Sequence, residues 1–72
     1  MTQRQLNLLQ SVEEGIKLAR EELSGPGGVA HMKRVLLEEF SREEYCPLSA
    51  GRAAYLACFV IAWSDAGRPD LE

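Results

Sequence analysis

Apolar residues recur every three or four positions along the first third of the chain. Spacings of 3, 4, 3 and 4 residues separate Leu9, Val12, Ile16, Ala19 and Leu23. This period is typical of a helix face that packs along a second helix. The pattern predicts a helix from Gln3 to Leu23 that ends at Ser24-Gly25-Pro26-Gly27-Gly28. Gly25 is predicted to be left-handed there, and so short a reversal predicts an antiparallel helical hairpin.

A second stripe follows the reversal and predicts a helix from Val29 to Glu43. The stripe consists of Val29, Met32, Leu36 and Phe40. The opposite face, which is expected to lie in water, carries His31, Arg34 and Glu38. Val35 and Leu37 flank the stripe and widen it beyond what one neighbouring helix needs. Pro47 disfavours helical backbone at Cys46, so we expect the helix to end before that residue.

A third helix, from Ser49 to Ser64, is predicted to be apolar on every side. Ser49 suits its N-cap, and Gly67 with Pro69 marks its end. Small residues and one larger neighbour share one face: Ala50, Ala53, Ala54, Ala57 and Ile61. Bulky residues lie roughly opposite: Tyr55, Leu56, Phe59, Val60 and Trp63. Two short amphipathic helices do not easily cover both faces of such a helix.

These patterns predict an all-α fold, a small three-helix domain with an antiparallel helical hairpin and a largely buried apolar third helix. Either the third helix threads between the first two, or its spare face contacts another chain. We expect the partner-binding surface to be an aromatic ridge on the third helix plus the outer edge of the second. Its residues are Tyr55, Phe59, Trp63, Val35 and Leu37. In the alternative arrangement the ridge is core and the alanine face binds a partner helix. A compact monomer is the third interpretation.

Composition favours one folded domain without a membrane segment. The chain has 72 residues, of which 46% are hydrophobic and 26% charged, and its net charge is −3. We assign the domain to residues 1–70, because Leu71-Glu72 matches a common junction before a purification tag. No signal peptide is evident, and the longest uncharged apolar run is shorter than the roughly 20 residues of a membrane span. We therefore expect a cytoplasmic protein whose Cys46 and Cys58 are reduced.

The residues that could carry catalysis or bind metal are few and separated. His31 is the single histidine and is predicted to lie away from both cysteines. One histidine and two cysteines do not complete a four-ligand zinc site. The glutamates occur as adjacent pairs, whose side chains diverge on a helix and so do not form a catalytic dyad. The sequence therefore predicts no enzymatic activity, no cofactor, no metal and no small-molecule substrate.

Nucleic-acid binding is the alternative function. The segment from Leu48 to Ala57 contains an Ala-Ala pair and resembles the first helix of a small helix-turn-helix domain. That resemblance implies a transcriptional regulator, with phosphate contacts from Lys33, Arg34 and Arg52. Such a motif needs a turn and a polar second helix, whereas this segment continues as apolar sequence. We therefore prefer a non-enzymatic protein-interaction module, a regulatory or inhibitory accessory protein that binds another protein or forms a homodimer.

Overall fold

The computed structural model describes residues 1–44 and 47–72. Within these ranges the chain forms three α-helices and no strand: α1 (Gln3–Ser24), α2 (Gly28–Phe40) and α3 (Ala50–Asp65). The predicted all-α, three-helix fold is therefore confirmed. The second helix ends at Phe40 instead of Glu43. The expected helix break at Cys46 lies outside the described residues.

The start of α1 is fixed by a reciprocal capping box. The Gln5 backbone N–H donates to the Thr2 hydroxyl at 3.2 Å, and the Thr2 backbone N–H donates to the Gln5 side chain at 2.8 Å. Both N–H groups would otherwise lack a partner at the helix end. The cap therefore stabilises the first turn of α1, where the residues around it are exposed.

The reversal between α1 and α2 is a Pro-Gly turn. The Gly28 N–H donates to the Gly25 carbonyl at 3.1 Å, and Gly27 has φ 74° and ψ 14°, as in a type II turn. The prediction of a left-handed Gly25 is wrong, because that residue is extended, with φ −80° and ψ 168°. Pro26 disfavours helical backbone in the residue before it, so the left-handed position moves to Gly27. A Cβ on the buried Gly28 would overlap the Leu23 carbonyl, so glycine allows α2 to start against α1.

Both ends of α3 carry the predicted signals. The Ser49 hydroxyl accepts the Arg52 backbone N–H at 3.2 Å and caps the first turn. Gly67, with φ 86°, follows the last turn, and the Arg68 N–H donates back to the Trp63 carbonyl at 2.9 Å. This is the longer bond of a Schellman motif. These local signals fix the helix ends within one turn.

The residues after α3 fold back onto the helix and contain no further helix. The Trp63 indole N–H donates to the Pro69 carbonyl at 2.8 Å, and the Arg68 guanidinium lies 5.8 Å from the centroid of the Trp63 ring. Leu71, which we set aside as a tag remnant, packs against the core. The last residues therefore contribute to the packing of α3.

The core lies where all three helices meet. Its buried residues are Ala19 from α1, Met32, Val35 and Leu36 from α2, and Tyr55, Leu56 and Phe59 from α3. The middle of the predicted α2 stripe is therefore confirmed as buried. The ends of that stripe, Val29 and Phe40, are more than half exposed. Burial thus follows the crossing point of the helices and does not extend along their full lengths.

The most extensive helix pair is α1 with α3, and the two helices approach each other through glycine. A Cβ on Gly15 would overlap the Gly51 carbonyl, and a Cβ on Gly51 would lie 2.6 Å from the Ser11 hydroxyl oxygen. Farther along both helices, Tyr55 lies beside Glu22. The contacts move from Gly15 to Glu22 along α1 as they move from Gly51 to Tyr55 along α3. The two helices therefore run in the same direction.

Helix α2 packs on one side of the α1–α3 pair. His31 lies 3.0 Å from Glu22 of α1, and its ring centroid is 5.7 Å from that of Phe59 of α3. Near the end of α2, Phe40 packs edge-to-face on Trp63 at 5.9 Å. The expectation that His31 faces water is wrong, because α1 and α3 both reach the first turns of α2 and leave the imidazole half-buried. Within residues 1–44 and 47–72, no further helix covers the other side of the α1–α3 pair.

Candidate interaction surface

The side of the α1–α3 pair that faces away from α2 is apolar. Because successive residues are 100° apart around a helix, the residues on one flank of each helix face that side. We define this open face by three residues of each helix: Leu9, Val12 and Ile16 of α1, and Ala54, Ala57 and Ile61 of α3. Leu9 is 43% exposed and Ile61 is 60% exposed, although their positions in the helical pattern mark them for burial. The open face is therefore apolar helix surface in contact with water.

The shape of the whole chain is consistent with an uncovered face. Its accessible surface is 5446 Å², whereas a compact monomer of 8.0 kDa has about 4,500 Å². The radius of gyration is 13.4 Å, against about 11 Å for a compact domain of this length. The extents of 43 × 30 × 17 Å describe a flat body. About 1,000 Å² of surface therefore exceeds what the mass of the chain requires.

The structure places the predicted aromatic ridge mainly in the interior. Tyr55 and Phe59 are buried and pack edge-to-face with ring centroids 4.8 Å apart, and Val35 is buried beside them. Trp63 and Leu37 are half-buried. The ridge faces α1 and α2, so three of the five predicted partner-binding residues have little exposed surface. The alanine face named in the alternative arrangement is the one that stays accessible, since Ala57 and Ile61 are both exposed.

The α1 half of the open face was missed by the sequence reasoning. The stripe that contains Leu9, Val12 and Ile16 predicts a buried seam, yet only Ala19 of that stripe is fully buried. Gly15 is the signal that could have identified the true contact, because a glycine next to an apolar stripe allows a second backbone to approach there.

A polar cluster links the three helices at the edge of the core. Glu22 of α1 lies between His31 of α2, at 3.0 Å, and the buried hydroxyl-bearing ring of Tyr55 of α3. Burial and the neighbouring Glu22 carboxylate raise the pKa of Tyr55 to about 12, although the Arg52 guanidinium, 4.7 Å from the ring centroid, acts in the opposite direction. Within the described residues, Oε2 of Glu22 has no well-formed hydrogen bond. The cluster positions α2 against the other two helices.

The cations of the alternative nucleic-acid reading are not gathered into one site. Lys33 and Arg34 lie in the first half of α2, where Lys33 is half-buried and Arg34 exposed. Arg52, at the start of α3, lies 3.9 Å from Glu39 in the last turn of α2. Glu39 also pairs with Arg42 at 3.4 Å. The third predicted phosphate contact is therefore next to a carboxylate, which offsets its charge.

The remaining candidate chemistry is limited to single groups. Cys58 is half-buried and packs against the core, and Cys46 lies outside the described residues. In residues 1–44 and 47–72 no three His, Cys, Asp or Glu side chains lie close enough together to hold a metal ion. None of the helices in the same two ranges combines the length and apolar composition of a bilayer-spanning segment.

No protein-family model, curated protein or solved structure matches this chain. The open face and the polar cluster are therefore the features from which a function is inferred. The polar cluster joins all three helices and is partly exposed, whereas the open face is accessible along two of them.

Proposed function

We propose that this chain is a non-enzymatic protein-interaction module, a regulatory or inhibitory accessory protein of the cytoplasm that binds protein through the open face. The observation that carries this proposal is the uncovered apolar surface of α1 and α3. On this face Leu9 of α1 is 43% exposed and Ile61 of α3 is 60% exposed. Large exposed apolar surfaces on small folded proteins mark interaction sites.

The environment of the single histidine supports the non-enzymatic part of the proposal. The His31 ring is held between Glu22 and the edge of Phe59, both of which also contact the core. A general base needs a neighbouring nucleophile or substrate within hydrogen-bond distance. The imidazole instead contacts a carboxylate and an aromatic ring, as a packing residue does.

Two matched substitutions test the proposed surface. Ile61→Asp places a charge on the α3 half of the open face, whereas Val29→Asp places the same charge at a similarly exposed apolar position of α2. Burying an unpaired charge in an interface is costly, so Ile61→Asp should weaken partner binding by at least about tenfold. Val29→Asp should bind like the wild-type chain. Both variants should keep a helical circular dichroism spectrum, since both positions are more than half exposed.

The measurement is quantitative mass spectrometry of proteins captured by each immobilised variant from extract of the native host, followed by titration with the purified partner. A partner that Val29→Asp retains and Ile61→Asp loses would support the proposal. Retention by both variants, or equal loss from both, would contradict a binding site on the open face.

A further inference from the structure

We infer that the occupant of the open face is a second copy of this chain, packed antiparallel through α1 about a two-fold axis beside Ile16. This inference rests on the proposed function, because it names the partner of the same surface. In a two-fold dimer one face is used twice, so its own pattern must be self-complementary. Three features of the open face and its rim meet that requirement.

The first feature is the order of charges along the rim of the open face on α1. Glu13, Lys17, Arg20 and Glu21 line one hollow of about 460 Å³ together with Ile16. Glu13 precedes Ile16 and Arg20 follows it at similar distances along the helix. An antiparallel copy centred there sets Glu13 against the partner's Arg20 on both sides of the axis. Lys17 lies next to the axis and faces the partner's Lys17, and the two Glu13–Arg20 contacts offset that repulsion.

The second feature is the direction of the two helices. Because α1 and α3 run the same way, the positive ends of both helix dipoles lie at one end of the open face. Neither helix has an acidic residue in its first turn to offset that charge. An antiparallel copy brings helix C-termini, with their negative partial charge, alongside these N-termini. A second copy therefore supplies the charge that each chain lacks.

The third feature is the arrangement of apolar residues along the α1 half of the open face. With the axis beside Ile16, that residue meets the partner's Ile16. Leu9 then falls close to the partner's Leu23, which is itself half-buried in the single chain. In this arrangement the half-buried end of the partner's α1 stripe covers the exposed start of the stripe in the first copy.

A charge-swap experiment tests the antiparallel register. Glu13→Arg and Arg20→Glu should each weaken the dimer about tenfold, because the two-fold axis makes every reversal act at two contacts. The double variant Glu13→Arg/Arg20→Glu restores opposite charges at both contacts and should return the dissociation constant to within about threefold of wild type. Sedimentation equilibrium from about 1 µM to about 1 mM chain measures the constants.

Glu14→Arg is the matched control, because Glu14 is the exposed neighbour of Glu13 and points about 100° away from it. It should leave dimerisation unchanged. An effect of Glu14→Arg equal to that of Glu13→Arg, or a double variant as weak as the sum of the single variants, would overturn the register. Circular dichroism of each variant confirms that the helices remain.

The outcomes also separate this inference from the proposed function. A wild-type chain that stays monomeric at all concentrations overturns the second-copy assignment. If Ile61→Asp then still abolishes capture of a different protein, the proposed function stands without a homodimer. If the wild-type chain forms a dimer that Ile61→Asp leaves intact, the open face is not the dimer surface and the inference fails.

Discussion

At the residue scale, Tyr55 joins the apolar core to the polar cluster. Its ring packs on Phe59 inside the core, and its hydroxyl faces the Glu22 carboxylate. Glu22 in turn contacts His31, so one carboxylate of α1 is shared by side chains of α2 and α3. The charged groups that face Tyr55 are therefore Glu22 of α1 and Arg52 on its own helix.

The raised pKa of Tyr55 predicts a loss of stability at high pH. The folded chain holds the phenol proton up to about pH 12, whereas the unfolded chain releases it near the ordinary pKa of 10.0. This stabilisation is complete below pH 10 and is lost as the pH rises toward 12. The wild-type free energy of unfolding should fall by up to roughly 2 kcal/mol more than that of Tyr55→Phe across this range.

Urea unfolding followed by circular dichroism at several pH values between 9 and 12 measures this difference. The two proteins differ only at position 55, so the comparison isolates the contribution of Tyr55. Parallel pH profiles for Tyr55→Phe and the wild-type chain would contradict the link between Tyr55 and Glu22.

At the element scale, the pairing of α1 with α3 depends on two glycines. Gly15 and Gly51 bring the helix backbones closer than any larger residue permits, and Ser11 fills the space beside Gly51. Glycine is unfavourable inside a helix by about 1 kcal/mol relative to alanine. Each glycine therefore lowers the intrinsic stability of its helix but allows the two helices to pack more closely.

Gly51→Ala should destabilise the chain in spite of its higher helix propensity. The new Cβ would lie 2.6 Å from the Ser11 hydroxyl and 2.8 Å from the Ser11 carbonyl oxygen, so the helices must move apart. Overpacking costs about 1–3 kcal/mol, which should leave a net loss of about 1 kcal/mol or more in the free energy of unfolding. Gly25→Ala is the control, because its Cβ would have no neighbour nearer than 3.7 Å and its φ is −80°.

Thermal and urea unfolding of the two variants give the comparison. We expect Gly25→Ala to equal or slightly exceed the wild-type stability, since it restricts the unfolded chain. A Gly51→Ala chain that is more stable than Gly25→Ala would show that the helices do not meet at this crossing.

Short-range sequence signals are sufficient to predict where the helices lie, but they do not predict which helices pack together. Ser49 and Gly67 act within one helical turn, so they locate the ends of α3. Periodicity shows which face of α1 is apolar, but it does not show which helix covers that face. The short reversal predicts that α1 packs mainly on α2, whereas its most extensive contact is with α3. For the same reason, the helical pattern predicts Tyr55 and Phe59 on a partner-binding surface, whereas both are buried.

At the scale of the whole molecule, the chain has a small core and a large surface. Within the described residues seven buried side chains form the core, and the flat shape leaves most apolar positions of α1 outside it. Domains of this size are marginally stable when they fold alone. A second copy on the open face would therefore add stability as well as specificity.

Dimerisation predicts a melting temperature that depends on protein concentration. Mass action favours the folded dimer as concentration rises, and a 100-fold increase should raise Tm by about 5 °C or more for a chain of this size. Ile61→Asp should melt at one temperature throughout the same range. Differential scanning calorimetry at several concentrations provides the test. A wild-type Tm that is independent of concentration would contradict a dimer linked to folding.

The Gly15–Gly51 crossing also has a consequence for synthesis on the ribosome. The two glycines are separated by 36 residues, and the helix that supplies Tyr55, Leu56 and Phe59 is translated after α1 and α2. A nascent chain that has exposed only α1 and α2 lacks the main partner of α1 and nearly half of the core. Contacts between distant positions form only after the intervening segment has closed into a loop. This helical protein therefore acquires its fold after translation of α3, and until then its apolar helices are available to chaperones.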